Sequence, residues 1–140
     1  MTRFVLDTDI VSLLQRGNRL VTAHVGSHSP DEVATTVITV EEQLSGWYTL
    51  LRRAKTAMEL VPVYERMSET VRFLSSLPIL TFTERAATIY EQLRQQKPRI
   101  GRMDLRIAAI ALSHDATLMA RNLSDFEDIE GLTVVDWSCG

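Results

Sequence analysis

The chain has 140 residues, of which 45% are hydrophobic and 24% are charged, a composition that is typical of one globular domain over residues 1–140. Its formal net charge of −3 argues against a large non-specific nucleic-acid surface, but is compatible with a small basic rim around an acidic site. No apolar run approaches the length of a membrane span, and Asp7 and Asp9 interrupt the N-terminal apolar stretch too early for a secretory signal.

Strand and helix patterns alternate along the first half of the chain. The predicted elements are a strand over residues 3–7, a helix to about 15, a helix over about 18–28, a strand over 33–37 and a helix over about 40–53.

The second half continues the alternation. Apolar residues recur at steps of four and three from Leu60 to Leu74, which predicts one helix face. Pro62 is placed in the first turn of this helix, which then begins near residue 61 and stops at Pro78. The remaining predicted elements are a strand over 79–82, a helix to about 97 that Thr83 caps, a very apolar helix over 103–114, and strands over 117–120 and 133–135.

This alternation predicts an α/β fold with three layers, in which helices cover both faces of a mostly parallel sheet of four to five strands. In such folds, functional sites lie beyond the carboxyl ends of the strands. Asp7 lies at such an end, and so does the loop after residue 120.

Several common site motifs are missing. The sequence contains no glycine-rich phosphate loop, no H-E-x-x-H and no G-x-S-x-G. His24 and His28 would share a helix face and could hold zinc, but no third ligand is well placed, so a plain surface pair is favoured. One cysteine, Cys139, cannot form an internal disulfide, which makes the cytoplasm the expected location.

Two carboxylates follow the first strand directly. Asp7 and Asp9 each suit a turn or the cap of a helix. Because one cap does not need two carboxylates, a functional role for Asp7 is about as well supported as a capping role.

The stretch TVITVEEQLSGW, residues 36–47, contains a second candidate, Glu42. Thr39 and Glu42 fit a capping box, in which Glu42 bonds back to the cap, and this pattern alone favours that structural role. Glu41 is expected to point away from the face that carries Glu42.

Two further candidates lie near the C-terminus. Asp104 opens a nearly apolar helix, where the helix dipole favours a carboxylate. A buried charge there needs a cation partner. Asn122 follows a predicted strand and Asp125 lies in the loop after it, where turn chemistry alone accounts for both.

Together, Asp7, Glu42, Asp104 and Asn122 fall at strand ends or helix starts along one edge of a parallel sheet. Oxygen ligands suit hard cations such as Mg²⁺ or Mn²⁺. Such an ion can polarise a phosphodiester and help to deprotonate a water.

Four segments of the chain resemble the PIN-domain family, and specifically the VapC-type toxins of toxin–antitoxin pairs. They occur in the order and spacing of the family and span essentially the whole chain. The segments are FVLDTDIVSLL (4–14), TVITVEEQLSG (36–46), IGRMDLRIAAIAL (100–112) and MARNLSDFEDIEGLTVVDW (119–137).

The resemblance implies that Asp7, Glu42 and Asp104 are metal ligands and, with Asn122, catalytic residues. Glu42 matches because the glutamate of the family stands four residues before the glycine, here Gly46. A supporting role is implied for Asp125, and for Thr8, which matches a hydroxyl that often supports the first aspartate.

The sequence departs from the family pattern at a few positions. Asp9 stands where many relatives have Asn; it is interpreted mainly as a helix-start residue with a supporting role, and the function of its charge is open. Gln43 replaces a common apolar residue, and Ala120 stands where Thr is often seen. With Asn122 in place of an aspartate, a second metal would have fewer charged ligands.

The resemblance further implies a Mg²⁺- or Mn²⁺-dependent endoribonuclease, a homodimer and a cognate VapB-like antitoxin that blocks the site. Arg99, Arg102 and Arg106, near Asp104, are candidate contacts to RNA phosphates, with a solvated helix face as the equally supported alternative.

Two other functions compete with this one. DTDIV resembles the signature of haloacid dehalogenase-type phosphatases, in which Asp7 would be the nucleophile and Asp9 the acid–base. Residues 100–131 supply no convincing match to the later lysine and acidic pair of that family. The other alternative is a non-catalytic PIN-like module that binds RNA.

Overall fold

A five-stranded sheet forms the centre of the computed structural model, which describes residues 1–139. Its strands, in chain order, are β1 (Phe4–Leu6), β2 (Val33–Thr36), β3 (Ile79–Leu80), β4 (Thr117–Met119) and β5 (Val134–Val135). They lie in the order β3-β2-β1-β4-β5, and every neighbouring pair is parallel. The prediction of a mostly parallel sheet is confirmed.

Six helices within residues 1–139 connect these strands. They are α1 (Thr8–Gln15), α2 (Arg19–Gly26), α3 (Val37–Arg53), α4 (Ala57–Ser75), α5 (Glu84–Gln96) and α6 (Arg102–Ser113). Short 3-10 turns cover Pro30–Glu32 and Leu123–Asp125. Within the described residues, none of the helices combines the length and the apolar character needed to cross a membrane.

Successive residues of the strands point to opposite faces of the sheet. Val5 and Leu118 pack into a core with residues of α5 and α6 on one face. Leu6 and Met119 pack into a second core with residues of α1, α2 and α4 on the other face. Both faces of the sheet are therefore covered, which confirms the predicted three-layer α/β fold.

The predicted starts of two helices are wrong. Helix α3 begins at Val37, because Thr36 caps it by accepting the Thr39 N–H at 3.3 Å. Thr39 is buried inside the helix, so the predicted capping box of Thr39 and Glu42 does not form.

Helix α4 begins at Ala57 rather than near residue 61. Thr56 caps it by accepting the Glu59 N–H at 3.2 Å. Pro62 therefore lies inside the helix and not in its first turn. It is tolerated there because Met58, the residue whose carbonyl loses its partner, is 77% exposed and accessible to water.

The sheet brings the candidate site residues to one edge. Asp7 follows β1 and donates its backbone N–H to the Met119 carbonyl at 3.0 Å, which fixes it beside β4. Helix α3, which carries Glu42, leaves the neighbouring strand β2 at the same edge. Parallel strands thus place residues distant in sequence side by side.

The start of α3 can be tested by a cap substitution. Thr36→Ala is expected to lower the free energy of unfolding by about 1–2 kcal/mol, because the Thr39 N–H loses its acceptor. Urea unfolding measures this change. Thr49→Ala, within the same helix, is a matched control and should alter stability by less than about 0.5 kcal/mol. Equal stability of the two variants would contradict a helix start at Val37.

Candidate functional site

Asp7 is both a helix cap and a buried acid. Its Oδ1 accepts the Ile10 N–H at 2.9 Å and so caps α1. The side chain is only 6% exposed. Burial raises the pKa of Asp7 to about 7; the Ile10 bond opposes this shift, and nearby carboxylates, among them Asp104, add to it. The capping and functional roles are therefore compatible, since the cap uses one carboxylate oxygen.

Five carboxylates lie in one negatively charged region. The pKa of half-buried Asp104 is raised, first by burial and then by the negative charges of Glu42, Asp125 and Asp9. Glu42 and Asp9 also raise the pKa of Asp7. Like charges interact this strongly only over short distances. The structure thus brings the three predicted ligands together, and Asp9 and Asp125 with them.

Two linked threonines lie beside Glu42, and one of them bonds to it. The Thr8 hydroxyl donates to Glu42 Oε1 at 2.5 Å and lies 3.0 Å from the Thr39 hydroxyl. Because a hydroxyl carries one hydrogen, Thr39 must donate to Thr8 when Thr8 donates to Glu42. The expected supporting role of Thr8 is therefore directed at the glutamate and not at Asp7.

Asp9 is exposed in the first turn of α1, where it is not the cap. The interpretation of Asp9 mainly as a helix-start residue is incomplete, because its charge also acts on Asp7 and Asp104. Glu41, as expected, is exposed on α3.

The predicted cation partner of Asp104 is not found. Within residues 1–139, the ion pairs are Met1–Asp31, Arg3–Glu32 and Arg94–Glu91. Asp104 is the third residue of α6 and is half-buried rather than buried, so the helix dipole and water compensate part of its charge. Among the described residues, no basic side chain forms an ion pair with Asp104, so the remaining part of its negative charge is not compensated by the protein.

Asn122 is joined to the acidic region through Asp125. Its Nδ2 donates to Asp125 Oδ2 at 2.6 Å, and its Oδ1 accepts the Ser124 hydroxyl at 2.9 Å. Asn122 is exposed and caps the 3-10 turn. These bonds fix the orientation of Asp125, whose charge acts on Asp104.

Basic side chains adjoin this region. Lys97 and Arg99 line an open cleft of about 560 Å³ together with Asp125 and Asp128. Arg102 is exposed at the first position of α6, two residues before Asp104.

Arg106 is placed differently from the other two arginines. Its guanidinium lies over the Tyr90 ring, 5.5 Å from the ring centroid, and donates to Met103 Sδ at 3.3 Å. These contacts favour a packing role between α5 and α6 over an RNA contact.

The two histidines do not form a plain surface pair. His24 and His28 are half-buried and stack on Trp137, with ring centroids 5.2 and 5.6 Å apart and planes within 6° and 8° of the indole. Trp137 itself is 5% exposed. The histidines thus pack the C-terminal segment against α2.

The acidic region fits a hard divalent cation in its donor chemistry and in its charge. Every candidate ligand is a carboxylate oxygen, and neighbouring negative charges oppose the ionisation of Asp7 and Asp104. Within residues 1–139, however, no three side chains of Asp, Glu, His or Cys lie close enough together, as placed, to hold a metal ion. Binding of a cation by three of these carboxylates would therefore require them to move closer together.

The sequence reasoning missed a polar seam between α1 and α3. Thr8 bonds to α3 at one end of α1, and Ser12 and Gln15 bond to Gln43 further along it. A signal was available, because Thr8, Ser12 and Gln15 recur at steps of four and three and so share a helix face.

Comparison with known proteins places the chain in a family. The family model of the PIN domain matches residues 4–132. The chain belongs to the PIN domain family. It is 28% identical over 141 aligned residues to a protein called ribonuclease VapC2 from Haemophilus influenzae, an alignment that covers 98% of this chain and 99% of that relative. PIN membership replaces the haloacid dehalogenase alternative.

Solved structures resemble this PIN domain over nearly its whole length. One is a toxin–antitoxin complex from Klebsiella pneumoniae, with 26% identity, a TM-score of 0.71, and coverage of 95% of this chain and 96% of that one. Another is VapBC2 from Rickettsia felis bound to a DNA fragment from its promoter, with 23% identity, a TM-score of 0.79, and coverage of 97% and 99%. At 23% identity, the resemblance to the Rickettsia felis structure shows a shared fold alone.

The burial of Asp7 makes a prediction about stability. In EDTA near pH 8, Asp7→Asn should raise the free energy of unfolding by about 2–4 kcal/mol, measured by urea unfolding. Asn caps helices about as well as Asp, so the variant keeps the cap and loses the buried charge.

The sign follows from the pKa of Asp7. The folded protein holds the Asp7 proton up to about pH 7, whereas the ordinary value is 3.8. Stability that the proton supplies is therefore lost as the pH rises between these values. The gain of the variant should shrink toward pH 4, and exposed Asp128→Asn should show no such gain. A variant that is no more stable than the parent at pH 8 would contradict this account.

Proposed function

We propose that residues 1–140 form a single nuclease domain that hydrolyses RNA phosphodiester bonds internally, with Mg²⁺ or Mn²⁺ as cofactor. The protein would act as the toxin of a VapBC-type toxin–antitoxin pair. The observation that carries the proposal is the convergence of Asp7, Glu42 and Asp104 at one sheet edge in a PIN domain. The name of the Haemophilus influenzae relative supports the ribonuclease activity.

Asp7, Glu42 and Asp104 would hold the cation. When bound, it supplies Lewis acidity at the phosphodiester and promotes the deprotonation of an attacking water. Asp7 must give up its proton to act as a ligand, and its pKa of about 7 means that this proton is released near neutral pH. The free oxygen of Asp7, opposite the one that caps α1, is the available donor.

Other residues of the chain orient these carboxylates. Thr8 bonds to one oxygen of Glu42, Thr39 bonds to Thr8, and the other Glu42 oxygen is open. Asn122 holds Asp125 beside Asp104. We assign Asn122 a catalytic contribution through this contact, and Asp9 a contribution of negative charge.

The basic side chains would bind the RNA backbone. Lys97, Arg99 and Arg102 flank the acidic region, and Arg99 shares a cleft with Asp125. Phosphate contacts of this kind position a nucleic acid without reading its sequence. The net charge of −3 is compatible with a contact surface of this limited size.

A cognate VapB-like antitoxin would block the site, and two copies of the chain would form a homodimer. The likeness to a toxin–antitoxin complex from Klebsiella pneumoniae supports the antitoxin. The homodimer rests on the resemblance to VapC-type toxins.

The nuclease proposal predicts which carboxylates matter most. Asp7→Asn and Asp104→Asn should each lower metal-dependent RNA cleavage roughly 100-fold or more, because each removes a charged ligand. Asp9→Asn, which restores the residue common in the family, should retain most of the activity. End-labelled RNA incubated with Mg²⁺, Mn²⁺ or EDTA measures cleavage.

Glu130→Gln, on the exposed loop after β4 and outside the cleft that Arg99 lines, serves as the charge-matched control. Cleavage that persists unchanged in EDTA or in both ligand variants would contradict the proposal. Binding of RNA without cleavage by the unaltered protein would favour the non-catalytic module.

The RNA contacts can be tested by salt dependence. Arg99→Ala and Arg102→Ala should each weaken RNA binding. Each should also make the negative slope of log affinity against log salt shallower by about 0.7, because each removes one phosphate contact. Arg72→Ala, exposed on α4, should leave the slope unchanged. The same holds for Arg106→Ala, whose side chain packs on Tyr90. Slopes that are equal in all four variants would contradict these contacts.

A further inference from the structure

A pair of side-chain amides joins α1 to α3 away from the sheet. Gln15 Nε2 donates to Gln43 Oε1 at 3.0 Å, and Gln43 Nε2 donates to Gln15 Oε1 at 3.2 Å. Gln43 Nε2 also donates to Ser12 Oγ at 3.4 Å. All three residues, here called the amide bracket, line an open cleft of about 960 Å³ whose wall also includes Glu42.

The position of Glu42 depends on the direction of α3. The sheet fixes the start of this helix, because Thr36 ends β2 and caps α3. Glu42 is the sixth residue of α3 and lies about 8 Å along the helix axis from that start. A small tilt of α3 therefore moves Glu42 relative to Asp7, which the sheet holds through Met119.

The amide bracket is the outermost tie between the two helices among the hydrogen bonds of residues 1–139. Thr8, at the first position of α1, makes the innermost tie. Gln15, at the last position, lies about 10 Å further along α1. On α3 the bracket acts at Gln43, the residue after Glu42 and, among the described hydrogen bonds to α1, the one furthest from the sheet.

A repulsive force acts on this arrangement. Thr8, the residue after Asp7, bonds to Glu42, which holds the Glu42 carboxylate near that of Asp7. Two like charges at this edge repel each other when no cation lies between them. Gln43 follows Glu42 directly in the sequence and bonds back to α1 on the side of the cleft. The bracket therefore opposes a separation of α1 and α3.

We propose that the amide bracket positions Glu42 for cation binding by fixing the tilt of α3 against α1. Gln15 and Gln43 are positioning residues that act through Glu42 and touch neither the cation nor the RNA. This inference rests on the proposed cation-dependent function and adds to it a structural reason for Gln43, where the family commonly has an apolar residue.

The test is the affinity for Mn²⁺, measured by titration calorimetry without RNA. Gln43→Leu and Gln15→Leu should each weaken Mn²⁺ binding about 3- to 10-fold, because the carboxylates are then less well preorganised. The double variant should bind no more weakly than the weaker single variant, because either change removes the bracket. Gln92→Leu, exposed on α5, is the matched control and should bind like the parent.

Thermal unfolding in EDTA separates positioning from folding. Lower unfolding temperatures with unchanged Mn²⁺ affinity in both single variants would overturn the proposal, since a merely structural role has that result. Additive losses in the double variant would overturn it as well. A higher KM for RNA with unchanged Mn²⁺ affinity would assign the glutamines to the substrate instead.

Mn²⁺ binding by the unaltered protein distinguishes a failure of the proposed cation site from a failure of the bracket inference alone. If it binds no Mn²⁺, the proposed cation site fails, and the bracket inference fails with it. If it binds Mn²⁺ and the glutamine variants bind equally well, only the bracket inference fails.

Discussion

Carboxylates that are crowded and partly buried at one edge of a parallel sheet are the constraint on which the rest of this structure depends. Asp7 caps α1, whereas Glu42 lies in α3 and Asp104 in α6. The charge of Glu42 opposes the ionisation of both Asp7 and Asp104, and the charge of Asp104 opposes that of Asp7. Among residues 1–139, no ion pair neutralises any of the three. Burial raises the pKa of Asp7 to about 7, and the charges of the neighbouring carboxylates add to this shift. A divalent cation is the simplest compensating charge, which is why the stability and the proposed activity of this edge are coupled.

Helix starts and side-chain hydrogen bonds offset part of the cost of these charges. Asp7 caps α1, and Asp104 lies in the first turn of α6, so both carboxylates face positive ends of helix dipoles. Glu42 lies further along its helix and depends on side-chain bonds instead, directly to Thr8 and, in our proposal, through the Gln43 bond to α1. Helix starts and a polar seam together hold charges that would otherwise separate. The same contacts leave carboxylate oxygens free for a ligand.

Much of this arrangement was predictable from sequence, because the ends of parallel strands must meet. The start of α3 was not, since residues 33–37 are β-branched enough for a strand, and the T-x-x-E pattern fits a capping box whether or not the helix begins there. Thr36 is the cap because β2 ends at that residue. The packing of His24 and His28 on Trp137 was equally inaccessible, because it joins segments more than a hundred residues apart. Spacing predicts which residues share a face, but not what they pack against.

The most direct test of the central claim is the anomalous diffraction of crystals grown with Mn²⁺. The account predicts one strong peak within about 2.5 Å of carboxylate oxygens of Asp7, Glu42 and Asp104, which will have moved closer together than in the metal-free protein. A saturating concentration of Mn²⁺ with no peak at this edge, or with a peak only at other residues such as His24 and His28, would contradict it.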